Sequence, residues 1–275
     1  MEKPVIRIEG LSFGYPASPL ALEDVSLAVA RGSVLGLVGP NGGGKTTLLK
    51  LILRLLPLQR GSIELFGQPL AQFDDWHRIG YLSQKMWSSD RNFPASVEEV
   101  VASGRVQQLG LLRRLQASDR QKVRSALEQV AMWTYHRRNI AHLSVGQQRR
   151  VFLARSLASG AELLLLDEPT SAMDPGIQEE FYHLLEDLSK QQGVTIMQVS
   201  HDLAGATAHI THLACLNRHL LSYGTIENCL TNGILPQLYG QMRDTLLSEL
   251  ITIRNSRAAA GSDSLATGRQ RRDGA

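Results

Sequence analysis

Gly39-Pro40-Asn41-Gly42-Gly43-Gly44-Lys45-Thr46-Thr47 fits the spacing G-x-x-x-x-G-K-[ST], with Gly39, Gly44, Lys45 and Thr46 in the four fixed places. Phosphate is a polyanion, and holding it takes several N–H donors converging on one point, which calls for backbone without Cβ atoms in the way. Gly42, Gly43 and Gly44 are suited to that approach. Lys45 adds a point charge for β- and γ-phosphates, and the Thr46 hydroxyl can ligate the Mg²⁺ that travels with a nucleotide. Far along the chain, four leucines from Leu163 to Leu166 run into Asp167 and Glu168. Asp167 can hold Mg²⁺, directly or through water, while Glu168 can orient and deprotonate a water for in-line attack on a γ-phosphate. A third stretch, Thr195 to Ser200, ends at His201, whose imidazole can hydrogen-bond that phosphate or the attacking water.

Those side chains need elements to carry them. The apolar run Val34 to Val38 predicts a buried strand and Thr47 to Leu53 a helix; a strand, a tight glycine loop and a helix N-terminus together make an anion site. The leucine run has the look of a central parallel strand covered on both faces, which sets its two acids at the carboxyl edge of the sheet. Val5 to Glu9 and Leu22 to Val29 alternate apolar and polar residues, predicting an antiparallel sheet ahead of this core. Tyr15 lies in the loop between them, where its ring can stack on a purine, although a tyrosine beside a proline is commonly a packed turn residue. Arg60 to Gly67 and Arg78 to Gln84 read as further strands, the second ending in the polar Gln84. From Lys85 to about Ala141 the pattern turns helical, with a helix starting at Val97 and another over Asp119 to Met132. Leu143-Ser144-Val145-Gly146-Gln147 precedes a helix over about Gln148 to Ala158. Its serine and glycine form an anion-receptive end, which taken alone is an ordinary N-cap. Leu213 to Leu216 and Leu220 to Gly224 predict a closing hairpin.

Composition narrows the class. With 275 residues, 43% of them hydrophobic and 20% charged, the chain can bury a large core. No apolar run approaches the roughly 18 to 20 residues that span a bilayer, and MEKPVIRIEG lacks the apolar segment of a secretory signal, so a cytosolic chain is expected. Cys215 and Cys229 lack the spacing of a zinc or redox motif and are expected to be incidental thiols. The net charge of +3 resides from Arg254 onward, where five arginines face two aspartates. That end is expected to be a solvated, disordered tail, and no nucleic-acid partner is expected. His209 and His212 are three apart with no acidic residue beside them in sequence, which predicts no metal site there.

The order of these signals is more specific than any one of them. An aromatic before the phosphate loop, a strand-end glutamine, LSVGQ ahead of a helix, LLLLDE and a strand-end histidine resemble the ATP-binding subunit of ABC transporters over roughly residues 5 to 240. The resemblance implies an α/β fold: a P-loop NTPase core of the RecA-like kind with a mostly parallel sheet, an N-terminal antiparallel β subdomain and an inserted α-helical subdomain at about 85–160. The domain would span 1–245, with 246–275 as the basic tail. By position, Tyr15 matches the adenine-stacking aromatic, Gly39 to Thr47 the Walker A loop, and Gln84 the Q-loop residue that senses Mg²⁺ and the membrane partner. Ser144, Gly146 and Gln147 match the signature loop, Asp167 and Glu168 the Walker B aspartate and catalytic base, Ser171 to Asp174 the D-loop, and His201 the switch histidine. ATP and Mg²⁺ are the implied ligands. The implied partners are a second copy of the chain, whose signature loop closes the ATP site from across a dimer, and separate permease subunits. A solute-binding protein is implied indirectly, and the chain would sit at the cytoplasmic face of the membrane.

Two positions depart from the family pattern. Val145 stands where glycine is usual, and a β-branched residue resists positive φ and close approach; Ser144 and Gly146 are intact, so activity that is retained but slowed is expected. Met173 replaces a common leucine, nearly conserving volume. The segment Phe93-Pro94 with Ser96 to Val101, then Gly104-Arg105, Gly110 to Arg114 and Leu238-Tyr239-Gly240, is similar to the subgroup serving manganese, zinc or iron uptake. An iron-chelate or cobalamin importer, or a soluble ABC-type ATPase of DNA repair or translation, stays open at this point. The last of these usually needs tandem nucleotide domains or a long coiled-coil insert, whereas one Walker A is present here.

Overall fold

The computed structural model describes residues 3–83, 94–109, 115–171, 173–200 and 208–231. Gln84, Phe93, the Gly110 to Arg114 stretch, Ala172, His201, the Leu238 to Gly240 stretch and the basic tail lie outside the described residues.

Two sheets organise the rest. Strands β1 (Ile6–Gly14), β2 (Leu20–Val29), β4 (Arg60–Leu65) and β5 (Gln68–Pro69) form an antiparallel sheet in the order β2-β1-β4-β5. Alternation sets the register, because sliding by one residue would turn every apolar side chain outward: Ile6 faces Val29 and Ile8 faces Leu27, all four buried. The second sheet contains β3 (Val34–Val38), β6 (Ile79–Leu82), β7 (Leu163–Asp167), β8 (Thr195–Val199), β9 (His212–Asn217) and β10 (His219–Thr225). Its order is β10-β9-β3-β8-β7-β6, parallel apart from the antiparallel β9–β10 hairpin.

The leucine run of β7 is apolar throughout because both its faces are covered. Leu163 and Leu165 enter a core with Leu48 and Leu49 of α1 (Lys45–Ile52) and with the antiparallel sheet. Leu164 and Leu166 enter another, formed with the helices on the opposite side. Burying a leucine contributes about 1.5–3 kcal/mol. Four in a row therefore pin this strand, and with it the position of the two acids at its end.

The helices on that side are α2 (Val97–Ala102), α3 (Val106–Leu109), α4 (Ala117–Gln129) and α5 (Val145–Ala158), in the stretch expected to be helical. A buried ion pair, Arg105 Nη2 to Asp119 Oδ1 at 3.0 Å, ties the turn after α2 to α4, and Arg105 Nη1 also donates to the Ala158 carbonyl at the end of α5. Helix α6 (Pro175–Gln192) is not assigned by the sequence reading above. Its signals are local: Pro175 in the first turn, Gly193 as the left-handed C-cap, and buried Phe181, Tyr182, Leu185 and Leu188 on one face. A short α7 (Ile226–Thr231) follows the hairpin. Cys215 and Cys229 are buried free thiols. No helix among the described residues is long and apolar enough to cross a membrane.

Candidate functional site

The strand order decides which loops meet. β3 lies between β8 and β9, with β7 one strand further on, so the loop leaving β3 and the acids ending β7 emerge at the same carboxyl edge.

In the loop after β3, the glycines are required mainly by neighbouring backbone. A Cβ at Gly39 would stand 1.9 Å from the Leu216 carbonyl oxygen, and one at Gly44 would stand 2.5 Å from that of Ala21. Gly43 meets the Leu216 and Pro40 carbonyls in the same way, whereas a Cβ at Gly42 would enter open space. Gly42 is needed for its φ of 77°, a left-handed conformation that side chains resist. The seating of the loop against β9 and β2 is thus a reason for this glycine run beyond the expected approach of a ligand. A backbone bond from Arg218 N to the Gly43 carbonyl, 3.0 Å, fastens the loop to the β9–β10 turn. Helix α1 begins at Lys45, two residues before its expected start, and Gly44 supplies no side-chain cap. Its first N–H groups therefore point out of the helix end toward whatever lies in the loop.

Lys45 Nζ donates to the carbonyls of Gly39 and Pro40, at 2.8 and 2.9 Å. Burial pulls its pKa below the ordinary lysine value, against the opposing pull of Glu168 and Asp167. Thr46 Oγ1 donates to Asp167 Oδ1 at 3.3 Å, which sets two of the three residues expected at Mg²⁺ side by side, the third, Gln84, lying outside the described residues. Burial raises the Asp167 carboxyl above its usual range; the Thr46 hydrogen bond opposes this, and Glu168 adds to the rise. Two hard oxygen donors adjoining a phosphate loop suit Mg²⁺, which takes one or two protein oxygens and completes its shell with phosphate and water. Glu168 is held at φ 53°, an uncommon conformation for a side-chain-bearing residue, and its N–H bonds the Val199 carbonyl at 3.1 Å.

A cavity of about 340 Å³ opens above these residues, its wall including Tyr15, Lys45, Thr46, Thr47, Glu168 and Arg218. Asn41, Gly42, Gly43 and Gly44 line it as well, while Gly39 and Pro40 lie behind, as acceptors for Lys45. Tyr15 stands in the turn after β1 with its hydroxyl 3.2 Å from Thr47 Oγ1 and its ring edge-on to Phe13. The residue belongs to the cavity wall and is 39% exposed. Arg218 was not foreseen from sequence, since only the hairpin turn brings it here, and a turn arginine carries no signal of its own.

The residues expected to form the signature loop are elsewhere. Ser144 caps α5, accepting from Gln147 N while Gln147 Oε1 accepts from Ser144 N, a reciprocal capping box. Neither Ser144, Gly146 nor Gln147 belongs to the wall of the cavity among the described residues. The expected conformational handicap of Val145 does not arise: it is the first residue of α5, outside the positive-φ set, and half-exposed. The helix starts three residues earlier than expected because Ser144 is its cap. A Cβ at Gly146 would come within 2.9 Å of Ile177, so glycine is needed there for α5 to approach α6. Buried Arg149 of α5 donates through Nη2 to both the carbonyl and the hydroxyl of Ser171, and Ser171 Oγ donates to the Glu168 carbonyl at 3.1 Å. That chain links α5 to the backbone of Glu168, just beyond β7. Gln84 and His201 lie outside the described residues.

Comparison with known proteins agrees with this geometry. The sequence profile of the family described as ABC transporter matches residues 22–171. The zinc uptake system ATP-binding protein ZurA of Listeria monocytogenes is 44% identical over 81% of this chain and 86% of its own length. The manganese transport system ATP-binding protein MntB of Bacillus subtilis is 37% identical over 89% of this chain and 97% of its own. Among solved structures, cbiO1 from Clostridium perfringens, part of the ABC transporter complex cbiONQ, superposes with a TM-score of 0.73 at 25% identity, covering 85% of this chain and 96% of that one. The chain belongs to the ABC transporter family, as one of its ATP-binding cassette subunits.

Proposed function

We propose that this chain hydrolyses ATP to drive a membrane importer of a divalent metal ion, zinc or manganese being the cargo that its relatives' names support. The observation that carries the ATPase reading is the convergence of Lys45, Thr46 and Glu168 on one cavity, with buried Asp167 hydrogen-bonded to Thr46, from two strands separated by a third. Tyr15 stacks on the adenine. The N–H groups of Gly42 to Thr47 and Lys45 Nζ take the phosphates, whose full charge outcompetes the two neutral carbonyls that Lys45 bonds. Thr46 and Asp167 hold Mg²⁺, which when bound neutralises charge on the β- and γ-phosphates. Glu168 orients the attacking water and accepts its proton. Gln84 is assigned to sensing Mg²⁺ and the permease, and His201 to the γ-phosphate.

The absence of Ser144 and Gly146 from the cavity wall supports a dimer in which each signature helix end closes the partner's ATP site. ATP then joins two copies and loss of the γ-phosphate releases them. The chain works with permease subunits and, through them, a solute-binding protein, at the cytoplasmic face of the membrane.

Glu168→Gln tests the chemistry. It is expected to lower turnover by about 10²- to 10⁴-fold while leaving ATP-dependent dimerisation intact; full turnover would remove Glu168 from the mechanism. Cargo is tested by copurifying the chain with its permease and measuring which ion, presented by the solute-binding protein, stimulates hydrolysis. Stimulation by neither zinc nor manganese would overturn the metal assignment.

A further inference from the structure

His209 was expected to lack acidic company, and in the fold it has two carboxylates. Its Nε2 lies 3.1 Å from Glu179 Oε1 and its Nδ1 3.0 Å from Glu186 Oε2, both from α6. His183, one helical turn beyond Glu179, brings its own Nε2 to 3.4 Å from the same Glu179 oxygen. One donor atom from each of Glu179, His183 and His209 lies within 4.8 Å of the other two. Tetrahedral Zn²⁺ with bonds of about 2.0–2.1 Å sets its ligand atoms about 3.3 Å apart, close to the two separations around Glu179 Oε1.

We propose that Glu179, His183 and His209 bind a divalent transition-metal cation of the zinc class, leaving one coordination position to water. Two imidazoles and a carboxylate suit zinc and its neighbours, whereas Mg²⁺ and Mn²⁺ favour oxygen donors throughout. The surroundings are built for a ligand histidine. Glu186 accepts from Nδ1 of His209, which leaves the Nε2 lone pair for the metal, and Lys190 Nζ holds the other Glu186 oxygen at 2.6 Å. His209 is buried and stacked against Tyr182 with ring centroids 5.6 Å apart, so its orientation is set by packing. His183 and Glu179 are exposed and can adjust their rotamers to bring the third separation, which lies within 4.8 Å, to the spacing that coordination needs.

The site also has a route to the reacting end of the sheet. Tyr182 OH lies 3.0 Å from Thr170 Oγ1, and Gln178 Nε2 donates to the same threonine at 3.3 Å. Thr170 follows Glu168 by two residues. Metal binding would clamp His209 beneath Tyr182 and bias the segment that carries Glu168, making the cluster a sensor through which cation concentration modulates hydrolysis. This consequence rests on the ATPase reading; the binding itself does not.

The test uses the full-length, metal-stripped chain without nucleotide, titrated with Co²⁺ as an optical probe and then with Zn²⁺. One equivalent of Co²⁺ with the absorption of a low-symmetry four-coordinate site, displaced by Zn²⁺, is expected. His183→Ala and Glu179→Gln should abolish it, and Glu186→Gln should weaken it by about 10- to 100-fold. Since His183 is exposed, its replacement keeps the fold intact. Failure to bind one equivalent, or binding unchanged in both ligand variants, overturns the site. Zinc should alter ATP turnover of the wild-type chain and not of His183→Ala, the zinc-free rates being equal. Equal responses in the two overturn the sensor role. A chain without ATPase activity would defeat the reading of the main site while the Co²⁺ titration still decides this one.

Discussion

Thr46 Oγ1 and Asp167 Oδ1 stand 3.3 Å apart across 121 positions of sequence. Neither group alone makes a cation site; in the function proposed above the pair does, and their hydrogen bond joins the two loops. Thr46→Ala and Asp167→Asn are each expected to raise the Mg²⁺ concentration needed for half-maximal ATPase activity by at least about 10- to 100-fold, the range that outer-shell partners of a metal already command. The double variant should lose less than the sum of the two, because both remove ligands from one ion. Additive losses in a Mg²⁺ titration of the four proteins would show that the residues act separately.

Tyr15 offers the cavity a ring and spends its hydroxyl on Thr47. Tyr15→Ala should weaken ATP binding by about 1–3 kcal/mol, the scale of a base stacked on an aromatic side chain. Tyr15→Phe should keep most of that affinity, since the ring is retained. Fluorescent-nucleotide titration separates the two cases, and equal losses would mean that the hydroxyl matters rather than the face.

Arg149 places a charged side chain in the interior of α5, where burial pulls its pKa down to about 10. Its bonds to Ser171 offset that cost. Arg149→Ala should destabilise the fold by about 2–3 kcal/mol, from the lost charged hydrogen bonds. That corresponds to roughly 4–12 °C in Tm for a protein somewhat below this size. ATPase activity should fall as well at temperatures where the variant stays folded, because Ser171 also bonds the backbone of Glu168. Thermal unfolding together with turnover at low temperature checks both parts.

Glu162 sits between Arg78 and Arg31, at 2.7 and 2.8 Å. The hydrogen bond from Arg78, then that from Arg31, holds its carboxyl down to about 2 from an ordinary 4.5. A carboxyl with a folded pKa below its unfolded one stabilises the protein above the unfolded value and loses that contribution as pH falls through the folded one. The side chain is 40% exposed, so solvent screening reduces the effect to about 1 kcal/mol. Glu162→Gln should lower Tm by about 2–4 °C at pH 7, with the gap to wild type closing between pH 4.5 and 2. A gap that persists at pH 2 would assign the loss to packing rather than charge.

The sequence by itself carried the chemistry that is local. The phosphate loop, the four buried leucines with their acids, and the cap at Ser144 all depend on residues within a few positions of one another, and each was legible as such. So was the antiparallel sheet, since alternation in Ile6 to Val29 dictates which face is buried. Other features depended on packing between distant segments. The glycines of the loop answer to the carbonyls of Leu216 and Ala21, Val145 proved to be a helical residue that needs no positive φ, and Arg218 reached the cavity only through a hairpin turn. His209 makes the same point most plainly. In sequence it has no acidic neighbour, yet its carboxylates come from the next layer of the fold, because the turns of α6 bring Glu179, His183 and Glu186 onto one face. Side chains that meet across elements leave no spacing to read, and the fold alone decides which of them share a site.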